Sequence, residues 1–137
     1  MKLLTKNTDY AVRALLELTR QKGAFISARQ VAKEQDIPYQ YLRRILRELI
    51  KNGLVISREG SRGGFKINKK PDSIAVVDVV KLFQGDIQFS ECMFRNKICA
   101  NRSKCVLRKE VQRIEKIVKK EFKGITIARL LKSNIKL

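Results

Sequence analysis

All three cysteines of the chain fall in one segment, Cys92-Met-Phe-Arg-Asn-Lys-Ile-Cys99-Ala-Asn-Arg-Ser-Lys-Cys105. A thiolate is a soft ligand that suits zinc, copper(I) or an iron–sulfur cluster. Three thiolates on one short loop can converge on a single metal centre without help from the rest of the fold. Two plainer readings stand beside this one. Free cysteine is often a small buried hydrophobe, but buried cysteines sit in apolar runs, and here the neighbours are Asn96, Lys97, Asn101, Arg102, Ser103 and Lys104. A disulfide framework would leave one thiol over, because the count is odd.

The whole composition narrows the chemistry further. The chain has 137 residues, 44% hydrophobic and 32% charged, which fits one globular domain with an appended dimerisation element. No apolar run approaches a membrane span, and the stretch from Met1 to Asp9 lacks the apolar core of a signal peptide. The expectation is a cytoplasmic protein with no membrane partner, where thiols stay reduced and free to bind metal. Lys and Arg number 31 against 13 Asp and Glu, a formal charge of +18. Such a field attracts polyanions, nucleic acid above all, although a generally lysine-rich proteome gives the same figure. Histidine is absent, which removes Ser-His-Asp and Cys-His catalysis and histidine as a ligand. With no nucleophile–base pair and no phosphate-binding glycine loop, an enzyme is not expected.

The elements that must position these groups can be read in order. Thr8-Asp9 is a start signal, and Tyr10, Val12, Ala14, Leu15, Leu16 and Leu18 make an apolar helical stretch that Gly23 ends. Ser27, with Gln30 three residues on, has capping-box spacing for a short helix from Ala28 to about Gln35. Asp36-Ile37-Pro38 makes a turn. A third helix follows from Tyr39 to Lys51, with Tyr41, Leu42, Ile45, Leu46, Leu49 and Ile50 toward the core. Gln40, Arg43, Arg44 and Arg47 take the other positions. Two helices joined by a tight turn, the second with an arginine-rich outer face, follow helix-turn-helix logic. Leu54 to Arg58 and Phe65 to Asn68 then read as a hairpin around the glycine-rich turn Glu59 to Gly64. A hairpin in that place is the wing of a winged helix, with Arg58 and Arg62 at its tip for a minor groove or phosphates.

Pro71-Asp72-Ser73 starts another helix, apolar on most sides from Ile74 to Phe83 and ended by Gly85. After Cys105, Leu107, Val111, Ile114, Val118 and Phe122 recur every three or four residues. One apolar stripe needs a partner, either the same stripe of a second subunit or the chain's own domain. Ile125 to Leu131 reads as a final short helix, followed by a tail. The fold class is mainly α with a small β wing. Residues 1–84 form a winged helix-turn-helix domain, 85–105 a cysteine loop, and 106–137 a dimerisation helix and tail.

This layout resembles the Rrf-type family of winged-helix regulators, which includes the iron–sulfur regulator IscR, the nitric-oxide sensor NsrR and the cysteine-metabolism regulator CymR. The likeness covers nearly the whole chain and is carried by Leu4 to Leu15, by Tyr41-Leu42 with Leu49-Ile-Lys-Asn-Gly-Leu54-Val55, by Arg58-Glu-Gly-Ser-Arg-Gly-Gly64, and by the three cysteines. It implies a homodimeric transcription factor, a repressor at a pseudo-palindromic site on double-stranded DNA. It also implies an iron–sulfur cluster on Cys92, Cys99 and Cys105. Two departures stand out. The family commonly has five residues between the first two cysteines; here six lie between Cys92 and Cys99. IscR has a histidine three positions after the third cysteine; here Arg108 stands there. Thr8-Asp9-Tyr10 looks instead like the NsrR subgroup, in which that aspartate is the fourth ligand, supplied by the other subunit. The resemblance thus implies Asp9 as the fourth ligand and leaves the cluster as 4Fe–4S or 2Fe–2S. The other reading of Asp9 is a helix cap.

The leading expectation is a cluster-binding, DNA-binding regulator that senses nitric oxide, redox state or iron and cluster supply. The alternatives are a cluster-free repressor controlled by thiol oxidation or a protein partner, and a zinc-stabilised interaction domain. The homodimer is expected to meet through Leu107, Val111, Ile114 and Val118.

Overall fold

A computed structural model describes residues 2–94 and 96–133; the tail expected beyond Ser133 lies outside the described residues. Helix α1, Lys6–Arg20, begins two residues before the start expected at Thr8-Asp9. The reason is Thr5, whose extended backbone and side-chain oxygen cap the helix by accepting the Thr8 N–H. Ala11, Ala14, Leu15 and Leu18 form its buried stripe. Gln84 fastens the same end from across the domain. Its Oε1 accepts the Thr5 N–H at 2.8 Å and the Thr8 hydroxyl at 2.7 Å, and its Nε2 donates to the Leu3 carbonyl. Thr8 is fully buried, so its hydroxyl has to be paired inside the protein.

Helix α2, Ala28–Gln35, and helix α3, Tyr39–Lys51, have the bounds their sequence signals indicate. Ser27 Oγ caps α2 by accepting the Gln30 N–H at 3.2 Å. Asp36 turns the chain in the left-handed region, φ 50°, and buried Ile37 closes the corner. Leu42, Ile45, Leu46 and Leu49 drive α3 into the core, each worth about 1.5–3 kcal/mol of burial. Tyr41, expected in that core, is 50% exposed. It lies one step off the stripe, and the Arg44 guanidinium stacks 5.4 Å from its ring centroid.

Strands β1, Val55–Arg58, and β2, Gly64–Ile67, pair antiparallel from Val55↔Ile67 to Arg58↔Gly64. The wing is tied to the segment before α2: Ile26 N–H donates to Phe65 O at 2.9 Å, and Phe65 N–H to Ile26 O at 2.8 Å. Gly64 permits that approach, since a Cβ there would stand 2.4 Å from the Ile26 carbonyl oxygen.

The helix expected from Pro71 is interrupted. Pro71–Ser73 forms a separate 3-10 turn, Ile74 and Ala75 are extended, and helix α4 runs Val76–Gln84. Ile74 leaves the helix because the chain pairs here with its own C-terminal segment. Val76 N–H donates to Ile125 O at 2.8 Å and Ile127 N–H to Ile74 O at 3.0 Å. Beyond a short hairpin, β3 Met93–Phe94 and β4 Lys97–Ile98, come helix α5, Val106–Lys123, and helix α6, Ile127–Lys132. Ile127 is fully buried in the same core as α1 and α3. Helix α6 thus packs on the winged-helix core through Ile127. Ile127→Ala is expected to cost about 2–5 kcal/mol of stability through lost burial and a residual cavity, measurable as a lower urea midpoint at unchanged slope.

Candidate nucleic-acid interface and cysteine centre

Leucine and isoleucine on one side of α3 force its polar residues outward. Gln40, Arg43, Arg44 and Arg47 are all exposed, and their spacing of i, i+3, i+4 and i+7 puts them on one face. Arg43 lies 5.8 Å from the Tyr39 ring, and Arg29 of α2 lies 4.5 Å from it. Such stacking fixes where the cations point. Arg29 is exposed on the same ring, and the sequence reading did not single it out. The wing arginines, Arg58 and Arg62, are exposed.

The cysteine segment lies between α4 and α5. All three thiols are free and half-buried. The hairpin registers Met93 with Ile98 and Phe94 with Lys97, which carries Cys92 opposite Cys99, and Cys99 N–H donates to Cys92 O at 2.8 Å. Asn96 makes the turn at φ 63°, and Cys92 enters it at φ 46°. Cys105 is the N-cap of α5, its Sγ accepting the Arg108 N–H at 3.3 Å. Cys92 lines a cleft of about 330 Å³ with Arg102, Arg108, Gln112 and Glu115. Glu115 accepts the Phe89 N–H at 3.4 Å and holds the entry to the loop. A hydrogen bond from the Lys119 ammonium keeps the Glu115 carboxyl below its ordinary range.

The donor chemistry fits a thiolate-bound metal group: three soft, free donors with arginines near them to offset the negative charge. The positions of the sulfurs are not those of a closed cage. Among the described residues no three Cys, Asp or Glu side chains stand grouped as metal ligands. Asp9 is distant in sequence, on the first turn of α1. It does not cap that helix, since Thr5 does. Its carboxylate is exposed and pairs with Arg13 at 3.4 Å. Arg13 in turn donates to the Gln35 carbonyl, at the turn between α2 and α3.

Helix α5 carries the remaining expected residues. Leu107 is 69% and Ile114 44% exposed, with Val111 and Val118 half-buried. The far end of the stripe behaves differently: Phe122 packs on Val76, Val80 and Ile87 of the same chain. Among the described residues, no helix is long and apolar enough to cross a membrane.

Known proteins share this arrangement. A family model described as Rrf2, iron-dependent transcriptional regulator, matches residues 4–133. The chain is 38% identical over 93 residues to the HTH-type transcriptional regulator NsrR of Shouchella clausii, spanning 67% of this chain and 62% of that protein. It is 29% identical over 133 residues to the HTH-type transcriptional regulator IscR of Aliivibrio salmonicida, spanning 96% of this chain and 78% of that protein. Its fold is similar to that of CymR, the global cysteine regulator of Bacillus subtilis, with a TM-score of 0.78, 22% identity, and coverage of 98% of this chain and 100% of that one. A family match along almost the whole length, on a winged helix with an exposed arginine face, means that the chain belongs to the Rrf2 family of transcriptional regulators.

Proposed function

We propose that the chain is an iron–sulfur-binding repressor that acts as a homodimer on pseudo-palindromic duplex DNA and responds to nitric oxide, redox state or iron and cluster supply. The observation that carries the metal part is the confinement of all three cysteines, free and half-buried, to the segment between α4 and α5. Cys92, Cys99 and Cys105 would hold the cluster, with the partner subunit's Asp9 as the fourth ligand. The bound group supplies a reaction centre for oxidants and nitric oxide. The protein contributes the rest. Three thiolates leave one position for a harder, weaker oxygen donor, and the exposed Asp9 carboxylate is such a donor. Arg13 connects Asp9 to the turn before α3, so a change at Asp9 reaches the spacing of two recognition helices, which a palindrome measures.

On DNA, Gln40, Arg43, Arg44 and Arg47 of α3 face the major groove, and the wing lies in the flanking minor groove. Arg43→Ala is expected to cost about 1–3 kcal/mol of discrimination if Arg43 reads a guanine edge. Arg47→Ala is expected to lower the salt slope by about one without changing sequence preference, as loss of a phosphate contact does. Titrations at several salt concentrations separate the two roles. If both variants bind a selected site as the wild type does, the placement of α3 is wrong.

A second reading, a cluster-free repressor switched by thiol oxidation, draws support from the arginine-lined cleft beside Cys92. An anaerobic absorption spectrum with iron and sulfide counts decides between them. Visible absorption with both elements supports the cluster. A colourless protein free of metal supports the thiol switch, and stoichiometric zinc would sink both.

A further inference from the structure

The two wing arginines are held differently. The Arg58 guanidinium lies 4.1 Å from the centroid of the Phe25 ring, and its Nη2 donates to the Arg62 carbonyl at 2.6 Å. The turn beneath is tight. Gly63 N–H donates to Gly60 O at 3.0 Å, and a Cβ on Gly63 would stand 2.0 Å from the Arg58 carbonyl oxygen. Phe25 is half-buried, and the residue after it, Ile26, is hydrogen-bonded in both directions to Phe65 of β2. The Arg62 side chain is exposed, and among the described residues it makes no hydrogen bond, ion pair or ring contact.

We propose that Phe25 and Arg58 are positioning residues that hold the wing turn in one shape, and that Arg62 is the wing residue that enters the DNA groove. The proposal rests on the DNA-binding reading above and divides a role that the sequence assigned to both arginines alike. A turn containing Gly60, Ser61, Gly63 and Gly64 has wide conformational freedom, and ordering it on DNA costs affinity. Phe25 removes much of that cost beforehand. Its ring fixes the Arg58 guanidinium, which fixes the Arg62 carbonyl, and the Arg62 side chain is left projecting from a rigid turn. Phe25 lies outside the helix-turn-helix and far from the wing in sequence, so no local motif marks it.

The test uses the full chain, a duplex that it selects from a randomised pool, and a random duplex of equal length. Phe25→Leu keeps an apolar side chain and removes the ring. It is expected to weaken binding to the selected duplex about two- to fivefold, the size of an exposed cation–π contact. Binding to the random duplex and the salt slope are expected to stay unchanged, and the melting temperature to fall by no more than a few degrees, about what loss of one such contact costs. Phe25→Tyr restores selected-site binding because the ring is kept. Arg62→Ala weakens selected-site binding and lowers the salt slope, and adding Phe25→Leu to it brings no further loss. Wild-type affinity in Phe25→Leu, or losses from Phe25→Leu and Arg62→Ala that multiply, would overturn the proposal. So would a further loss when Arg58→Ala is added to Arg62→Ala, because Arg58 would then touch DNA itself. Failure of the wild-type chain to select any duplex would instead bring down the DNA-binding reading, and this inference with it.

Discussion

Replacing Cys92, Cys99 or Cys105 with Ala is expected to abolish the visible absorption that the proposed cluster would give anaerobically purified protein, together with its iron and sulfide. Each substitution is expected to act alone with near-complete effect. The chain has no histidine and no fourth cysteine to substitute for a lost thiolate, and harder ligands hold iron–sulfur clusters poorly. Fold stability should change little, because none of the three thiols is part of the main core. The Cys105 variant also loses an N-cap bond, a loss of about 1 kcal/mol. Asp9→Ala provides the contrasting arm. Thr5 caps α1, and the Asp9–Arg13 pair is exposed, so the variant should lose no more than about 0.5 kcal/mol of stability. Its cluster spectrum is nonetheless expected to change, and its DNA affinity to stop tracking cluster content. Full iron and sulfide in a triple cysteine variant would end the cluster assignment; an unchanged spectrum in Asp9→Ala would end only the role of Asp9.

If the proposed dimer meets through α5, Ile114→Glu is expected to give a folded monomer without high-affinity operator binding. Ile114 stands at the middle of the exposed face of α5, between Leu107 and Val118. In a two-fold interface each substitution acts twice and places two carboxylates in an apolar seam. Desolvating an unpaired carboxylate costs several kcal/mol, more than the loss of two isoleucines alone. The subunit itself should survive. Helix α5 has no fully buried residue, and it is anchored at its end by Phe122 and the pairing of Ile125 and Ile127 with the segment before α4. Sedimentation gives the mass and circular dichroism the helix content. A dimer of undiminished affinity would show that the subunits meet elsewhere.

How far the fold could be read from residue order depended on the range of the interactions. The helix-turn-helix was legible to the residue. Ser27 caps α2 through an N–H three positions away, and Leu42, Ile45, Leu46 and Leu49 mark the buried side of α3 by spacing alone. The wing was legible for the same reason, because its glycines sit where the turn needs them. Capping, periodicity and turn chemistry all act within a few residues, so linear order contains them. The start of α1 was misplaced because Thr5, rather than Thr8, caps the helix. The choice between them was made from far away, by Gln84.

Long-range contacts settled what local order left open. Ile74 left the predicted helix because the segment around Ile125 and Ile127 pairs with it, and nothing near Ile74 announces that. Tyr41 was counted as core because an aromatic at helical spacing resembles one. Its actual surroundings depend on how far α3 is rotated against α1, and that left it beneath Arg44. At the cysteines, the spacing of Cys92 and Cys99 was visible at once. Its meaning, two residues facing each other across a hairpin, required the strand register. Asp9 shows the division most sharply. The residue type admits either a cap or a ligand, and local order favoured neither. Thr5 takes the cap, which leaves the Asp9 carboxylate exposed beside Arg13. A side chain's chemistry is written in its identity, but which of its possible partners it meets depends on packing between segments separated by tens of residues, and that packing is a cooperative property of the whole core.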